Sequence, residues 1–235
     1  MPAKIISDYL VEAAPIAGST ATLEVLVAES NHRIANNLSL VAGMLRLQAN
    51  DLARSGRGFS PEEAVLLLAE VGARIDTVGR LHRLLAQSGG ASQMDLRDYL
   101  EEIAAAAIHS MSGDRVRLTS VTGSDCVIPA HIALSVGFIV GEAVTNAVKY
   151  AHPARVAGTI AMACQRQPDG STLIRITDDG VGLPEGFDPR RDGGLGFRMM
   201  RTIAGQLGAG LTFDGSGMGL SVEIRLPPNR PVSAG

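Results

Sequence analysis

Four short stretches of this chain hold residues whose types and spacing could do chemistry. The first runs from Glu29 to Leu38, with His32 near its middle. A helix advances roughly 100° per residue, so the 4-3-4 spacing of Ile34, Leu38, Val41 and Leu45 makes one apolar stripe. His32 falls on the far side of the helix from that stripe. Glu29 and Asn36 stand at i−3 and i+4 and share its face. The pattern predicts an exposed imidazole beside a carboxylate and an amide, on a helix whose other side is packed. Taken alone, it is also the pattern of an ordinary surface histidine.

The other three stretches lie downstream. Glu142, Asn146 and Lys149 share one face of an otherwise apolar helix, at spacings of four and three. A carboxylate, an amide and a cation so arranged suit a hydrated Mg²⁺ bound to phosphates, because Mg²⁺ takes oxygen ligands and often few of them from protein. A solvated polar face would look the same. Next, Asp178-Asp-Gly-Val-Gly182 puts two acids at the end of a strand and runs into a glycine turn. A buried carboxylate there could accept from an adenine amino group, while Gly180 and Gly182 let backbone approach closely; a simple Asp-Gly turn is the plainer reading. Last, Gly193-Gly-Leu-Gly-Phe-Arg-Met-Met-Arg201 leads glycines into a helix, whose first N–H groups can face phosphate. No Gly-Lys-Ser/Thr follows, so it is not a P-loop. No strand directly precedes it, so it is not the dinucleotide fingerprint.

These residues need elements to position them. Residues 1–18, with Pro2, Pro15 and Gly18, read as a leader. A helix capped at Ser19 or Thr20 runs to about Leu52. After a Gly/Arg/Ser-rich loop, Ser60-Pro61-Glu62-Glu63 starts a second helix that runs to about Gln87 and stops at Gly89-Gly90. Leu68, Val71, Ile75, Val78, His82 and Leu85 repeat at heptad-like spacing along it, and His82 reads as a packed histidine. Two such helices form an antiparallel hairpin over 19–90. One hairpin buries both stripes poorly and a pair forms a four-helix bundle, so a homodimer is expected. From residue 91 the pattern changes. A helix from Met94 to about Ser112 precedes a strand at 115–121, a short strand at 125–128 and a long apolar helix at 130–150. Strands at 157–165 and 173–178, a Gly/Pro-rich loop, a helix at 195–207 and a final hairpin (211–213 and 220–226) follow. The expected fold is thus two-domain: an α-helical hairpin, then an α/β two-layer sandwich over 91–230 with a mixed, mostly antiparallel sheet. Residues 231–235 form a tail.

Composition narrows the function. Of 235 residues 46% are hydrophobic, enough for a sizeable core. The net charge of −3 argues against a nucleic-acid or anionic-membrane surface, and aromatics at 3% with no Trp argue against base-stacking platforms. Cys126 and Cys164 lack metal-ligand spacing and read as buried thiols in a reducing compartment. With no long apolar run and no signal-like N-terminus, a cytoplasmic protein without membrane contact is expected.

In this order, Glu142-x-x-x-Asn146, Asp178-x-Gly180-x-Gly182 and Gly194-x-Gly196 resemble the nucleotide-binding boxes of the ATPase superfamily of gyrase, Hsp90, histidine kinases and MutL. The stretch Glu29-x-x-His32-Arg33-x-x-Asn36-Asn37-Leu38 is similar to the phosphoacceptor helix of sensor histidine kinases, in the subfamily whose acceptor reads His-Arg. Arg74-Ile75 to His82, Leu96 to Leu100 and Leu183 to Pro189 also look like that subfamily. The resemblance implies an ATP- and Mg²⁺-dependent protein-histidine kinase of a two-component system. His32 would take the γ-phosphoryl group and pass it to an aspartate of a response-regulator receiver domain. Glu29 would orient His32 or take its proton, Asn146 would hold Mg²⁺, and Glu142 would align its water shell. Lys149 would lie near the phosphates, and Asp178 would read the adenine. Gly180, Gly182, Gly194 and Gly196 would shape the pocket and phosphate cradle, and 183–193 would be a mobile lid. The alternative is a histidine phosphotransferase or phosphatase module with a silent ATP domain. Three positions depart from the family pattern: Ala35 replaces a usual Lys, Leu220 a usual Thr, and Gly194 a frequent Ser. No sensory domain is recognised ahead of the hairpin, so the input is expected from the leader, from a separate sensory protein, or not at all.

Overall fold

The structure, a computed structural model, describes residues 60–87, 93–112, 115–122, 126–154, 156–215 and 218–228, together with scattered helical positions between 39 and 53. All of these belong to one unit, Ser39–Gly235. The leader, the tail, His32, Glu29 and Ala35 lie outside the described residues.

Helix α1 (Pro61–Gln87) begins where the turn chemistry requires. Ser60 Oγ accepts from the Glu63 amide at 3.2 Å, and the Ser60 amide donates to Glu63 Oε2 at 3.1 Å, a reciprocal capping box. The buried seam of α1 is Val71, Arg74, Val78, Leu81 and Leu85, whereas Leu68 is 68% and Ile75 40% exposed. The expected stripe is therefore split. Its Val71, Val78 and Leu85 face inward with Leu81, toward helices of the α/β domain, and Arg74 rather than Ile75 completes the row.

Strand β1 (Gln93–Asp95) occupies the start of the run expected to be helical, and α2 spans Leu96–Ser112. Two contacts account for the difference: Asp95 Oδ1 accepts from the Arg97 amide at 2.9 Å, and the Leu96 amide donates to the Cys126 carbonyl at 2.8 Å. The chain continues through β2 (Val116–Thr122), β3 (Val127–Pro129), α3 (Ala130–Tyr150), β4 (Gly158–Arg166) and β5 (Thr172–Asp178). It ends with α4 (Leu195–Gln206), β6 (Gly210–Asp214) and β7 (Ser221–Leu226). The five-stranded sheet has the order β2-β4-β5-β7-β6; β2 and β4 pair parallel and the rest antiparallel. β1 and β3 form a separate antiparallel pair.

Successive residues of a strand face opposite sides, and here one side is covered. Ile160, Met162 and Cys164 of β4, Ile174 and Ile176 of β5, and Val222 and Ile224 of β7 are buried, while their neighbours alternate outward. They meet Phe138 and Ile139 of α3 and Met199, Met200 and Ile203 of α4 in one core cluster. Helix α3 is long and apolar enough by length and composition to cross a membrane, yet 67% of its most apolar window lies buried inside this domain. Cys126 and Cys164 are each 1% exposed, with Cα atoms 6.1 Å apart, and are joined as a disulfide. Their burial is as the sequence suggested, but the reading as free thiols is corrected: the fold brings residues 38 apart in sequence face to face.

Candidate nucleotide site

Strand parity separates the two acids at the end of β5. Asp178 continues the buried row Thr172, Ile174, Ile176 and points its carboxylate into the domain, only 6% exposed. Its Oδ1 accepts from the amides of Gly180 at 3.0 Å and Leu220 at 3.2 Å. The Asp178 amide in turn donates to the Leu220 carbonyl at 3.0 Å. Both side-chain hydrogen bonds among the described residues fall on Oδ1. Leu220 makes its contact through its amide, so the departure from Thr leaves this bond intact. Asp179 faces the other way: its Oδ1 accepts from the Thr159 amide at 2.8 Å and lies 2.8 Å from His152 Nε2. The Thr159 amide, with His152 beside it, holds the Asp179 carboxyl below the usual carboxylate range.

The glycines after Asp178 are required by close approach. A side chain on Gly180 would run into Ala151 at the end of α3, and the next amide, Val181, donates to the Ala151 carbonyl at 2.9 Å. Gly182 has φ +71° and faces the Gly219 carbonyl. Gly219 has φ +85°, and any Cβ there would collide with the Asp178 carbonyl. The loop after β5, the end of α3 and the turn before β7 thus pack backbone against backbone. Side chains at Gly180 and Gly219 would not fit between these segments.

The other group forms around Glu142, which is 7% exposed on α3. Arg74 of α1 grips its carboxylate with two contacts, Nε to Oε1 at 3.1 Å and Nη2 to Oε2 at 3.2 Å. Gly196, in the first turn of α4, packs directly on Oε2, so a side chain there would strike the carboxylate and crowd the guanidinium. Gly196 is therefore glycine because Glu142 lies against it, a reason that the phosphate-cradle expectation did not include. Gly194 precedes α4 with φ −73°, and a Cβ at this position would meet open space, so the frequent Ser would fit there. Asn146 is half-buried one turn beyond Glu142. Lys149 is exposed and lines, with Arg74, Arg80 and Glu142, a cavity of about 390 Å³ between α1, α2 and α3. From Glu142 to Ala151 is nine residues, about 14 Å along the axis at 1.5 Å per residue.

Several contacts anchor the segment 183–193. Asp188 accepts from Arg191 Nε at 2.8 Å and from the Arg190 amide at 2.9 Å, and these contacts hold its carboxyl below the usual range. Arg201 of α4 donates to the carbonyls of Pro189 at 2.6 Å and Asp192 at 3.0 Å, while Phe187 packs edge-on against Phe197.

Of the residues expected at the site, the structure brings Glu142 to Gly196, and Asp178 to Gly180, with Gly182 against Gly219 beside them. His32 and Glu29 lie outside the described residues. Ala151 is a participant that the sequence motifs do not include, and Arg74, which the sequence marks only as part of a stretch resembling the subfamily, proves to contact Glu142. For Arg74 a signal exists: 71, 74, 78, 81 and 85 form an unbroken 3-4-3-4 row with an arginine among apolar residues.

A mixed sheet under helices, an acid entering a glycine turn and glycines opening a helix define the gyrase- and Hsp90-like class of ATPase domain. Comparison agrees: the family described as "Histidine kinase-, DNA gyrase B-, and HSP90-like ATPase" matches residues 131–230. A second family, described as "Histidine kinase", matches residues 29–111. The chain is 28% identical to blue-light-activated histidine kinase 2 of Erythrobacter litoralis over 86% of its length, and 29% identical to the sensor histidine kinase PdtaS of Mycobacterium tuberculosis over 87%. It spans 56% and 40% of the lengths of these curated relatives. The solved histidine kinase domain of Erythrobacter litoralis EL346 superposes with a TM-score of 0.63 at 26% identity, covering 89% of this chain and 94% of that one. The chain belongs to the histidine kinases, with a phosphoacceptor segment followed by an ATP-binding domain.

Proposed function

We propose that this chain is an ATP-dependent protein-histidine kinase of a two-component system, working as a homodimer. The observation that carries the reading is the buried Asp178 carboxylate, fixed through Oδ1 by two backbone amides where glycines let the loop after β5 pack against the end of α3 and the turn before β7. An acceptor so placed suits the amino group of adenine. At the other end, Glu142, Asn146 and Lys149 supply oxygen donors and a cation, and the α4 N-terminus supplies N–H groups for phosphate. Asn146 would hold Mg²⁺, which when bound neutralises phosphate charge.

His32 is the proposed acceptor. A ring nitrogen attacks the γ-phosphorus, the bond to the β-phosphate oxygen breaks, and ADP leaves. The other ring nitrogen then gives its proton to Glu29. Transfer of this kind depends mainly on positioning and charge neutralisation. The phosphoryl group next passes to an aspartate of a response-regulator receiver domain, under control of a separate sensory protein or of segments outside those described. The exposed Val65, Leu68 and Ile75 of α1 support a helical partner on that face, as a bundle of two hairpins requires.

The test is incubation of the full chain with γ-labelled Mg-ATP. An acid-labile, base-stable phosphoryl group that disappears in His32→Ala is expected. Nucleotide binding without labelling would instead favour the phosphotransfer module with a silent ATP domain, and label that persists in His32→Ala would displace His32 as acceptor.

A further inference from the structure

We infer that Arg74 is a positioning residue of the nucleotide site, supplied by α1 from outside the ATPase-matched stretch, and that it sets the orientation of the Glu142 carboxylate. The inference rests on the reading that Glu142 works on the phosphate end of the nucleotide.

Three elements meet at this one carboxylate. Glu142 comes from α3, Gly196 presses on Oε2 from α4, and Arg74 reaches across from α1, donating from Nη2 to Oε2 at 3.2 Å with its Nε 3.1 Å from Oε1 as a charge contact. The planar fork of arginine matches a carboxylate at both oxygens, whereas a lysine offers only a point charge. The hydrogen bond from Nη2 and the close approach of Gly196 both act on Oε2 and together fix where it lies. Arg74 and Glu142 are 8% and 7% exposed, so bulk water does little of this orienting. The remaining charged groups around the cavity are Asp76 and Arg80 of α1, Glu102 of α2 and Lys149 of α3.

Stability alone is a weak reason for such a pair. A buried ion pair offsets its desolvation cost only partly, and apolar replacements of similar volume are often neutral or stabilising. The seam of α1 would pack as well with a leucine between Val71 and Val78. An arginine there, aimed at the residue expected to align the Mg²⁺ water shell, has its rationale in what it does to Glu142. One consequence is structural coupling: the phosphate end of the ATP site is complete only while α1 lies on α3. The helix predicted to pair with the phosphoacceptor helix thereby reports its position to the nucleotide.

The experiment uses the full chain and reads three quantities: the rate of phosphoryl incorporation against ATP concentration, the affinity for a fluorescent ADP, and the thermal midpoint. Arg74→Gln is expected to lower the saturating rate ~100-fold, the scale on which oriented electrostatic groups act. KM for ATP and ADP affinity should stay within about threefold, since the Asp178 end is untouched (a threefold change is about 0.65 kcal/mol). Arg74→Lys should recover part of the rate. The exchange Arg74→Glu with Glu142→Arg keeps an ion pair and should recover the thermal midpoint but not the rate. Recovery of the rate by the exchange would overturn the inference, leaving the pair a structural staple, and so would an Arg74→Gln rate near wild type while Glu142→Gln is inactive. A wild-type rate in Glu142→Gln would instead remove Glu142 from the proposed machinery. Where Arg74→Gln fails to fold, Arg74→Lys and the exchanged pair decide.

Discussion

The site has two carboxylates that are almost equally buried, Asp178 at 6% and Glu142 at 7%, yet they are held in different ways. Asp178 is fixed by neutral backbone amides of its own domain, in a turn that only glycines can make. Glu142 is fixed by a guanidinium from a helix that the ATPase family match does not include. The end of the site proposed to read the base is thus complete within the α/β fold. The end proposed to handle phosphate depends on an outside helix. Burial does not tell how a group is controlled; the source of its partner does.

The largest expected effect comes from breaking the self-contained end. Gly219→Ala forces a side chain into a left-handed backbone conformation against the Asp178 carbonyl. Strain and overpacking together should cost about 3 kcal/mol in chemical denaturation. A stability equal to wild type would show that the turn before β7 relaxes freely.

Asp178→Asn is gentler and more pointed. The amide oxygen can still accept from Gly180 and Leu220, so stability should hold. The other atom becomes a donor facing a donor on adenine. Loss of a charge-assisted hydrogen bond is worth about 2 kcal/mol, or roughly 30-fold in ATP affinity, measurable by calorimetric titration. An unchanged affinity would move the adenine elsewhere.

The smallest effect sharpens the contrast between buried and exposed pairs. Arg175 and Glu223 face each other across β5 and β7 at 2.6 Å, closer than Arg74 and Glu142, but are 50% and 34% exposed. Arg175→Ala should cost less than about 1 kcal/mol in thermal unfolding, because water screens the pair. A larger loss would mean that distance, not burial, ranks the ion pairs of this domain.

How far sequence reaches follows the same division. Helix α3 matches its expected bounds because Pro129 marks its start and a continuous apolar pattern carries it to Tyr150. The core-facing Asp178 is legible because period-two alternation along β5 leaves little choice of side. Arg74 is harder to see because stripes are counted in apolar residues, and an arginine is skipped where its partner lies 68 residues away. Strand β1 is hidden because three residues inside an amphipathic run carry no period of their own. The Cys126–Cys164 pairing depends on where β3 and β4 are placed relative to each other, which no local pattern encodes. The glycine at 196 stands out in sequence, but its neighbour emerges only once α3 and α4 are packed.

The central claim is that one nucleotide lies along α3 from Asp178 to the start of α4. Hydrogen exchange of the full chain with and without Mg-ATP tests it most directly. The account predicts slowed exchange at Gly180–Gly182 and at Leu195–Arg198 together, with the Gln167–Ser171 turn unchanged. Protection at neither segment, or at one without the other, would contradict it.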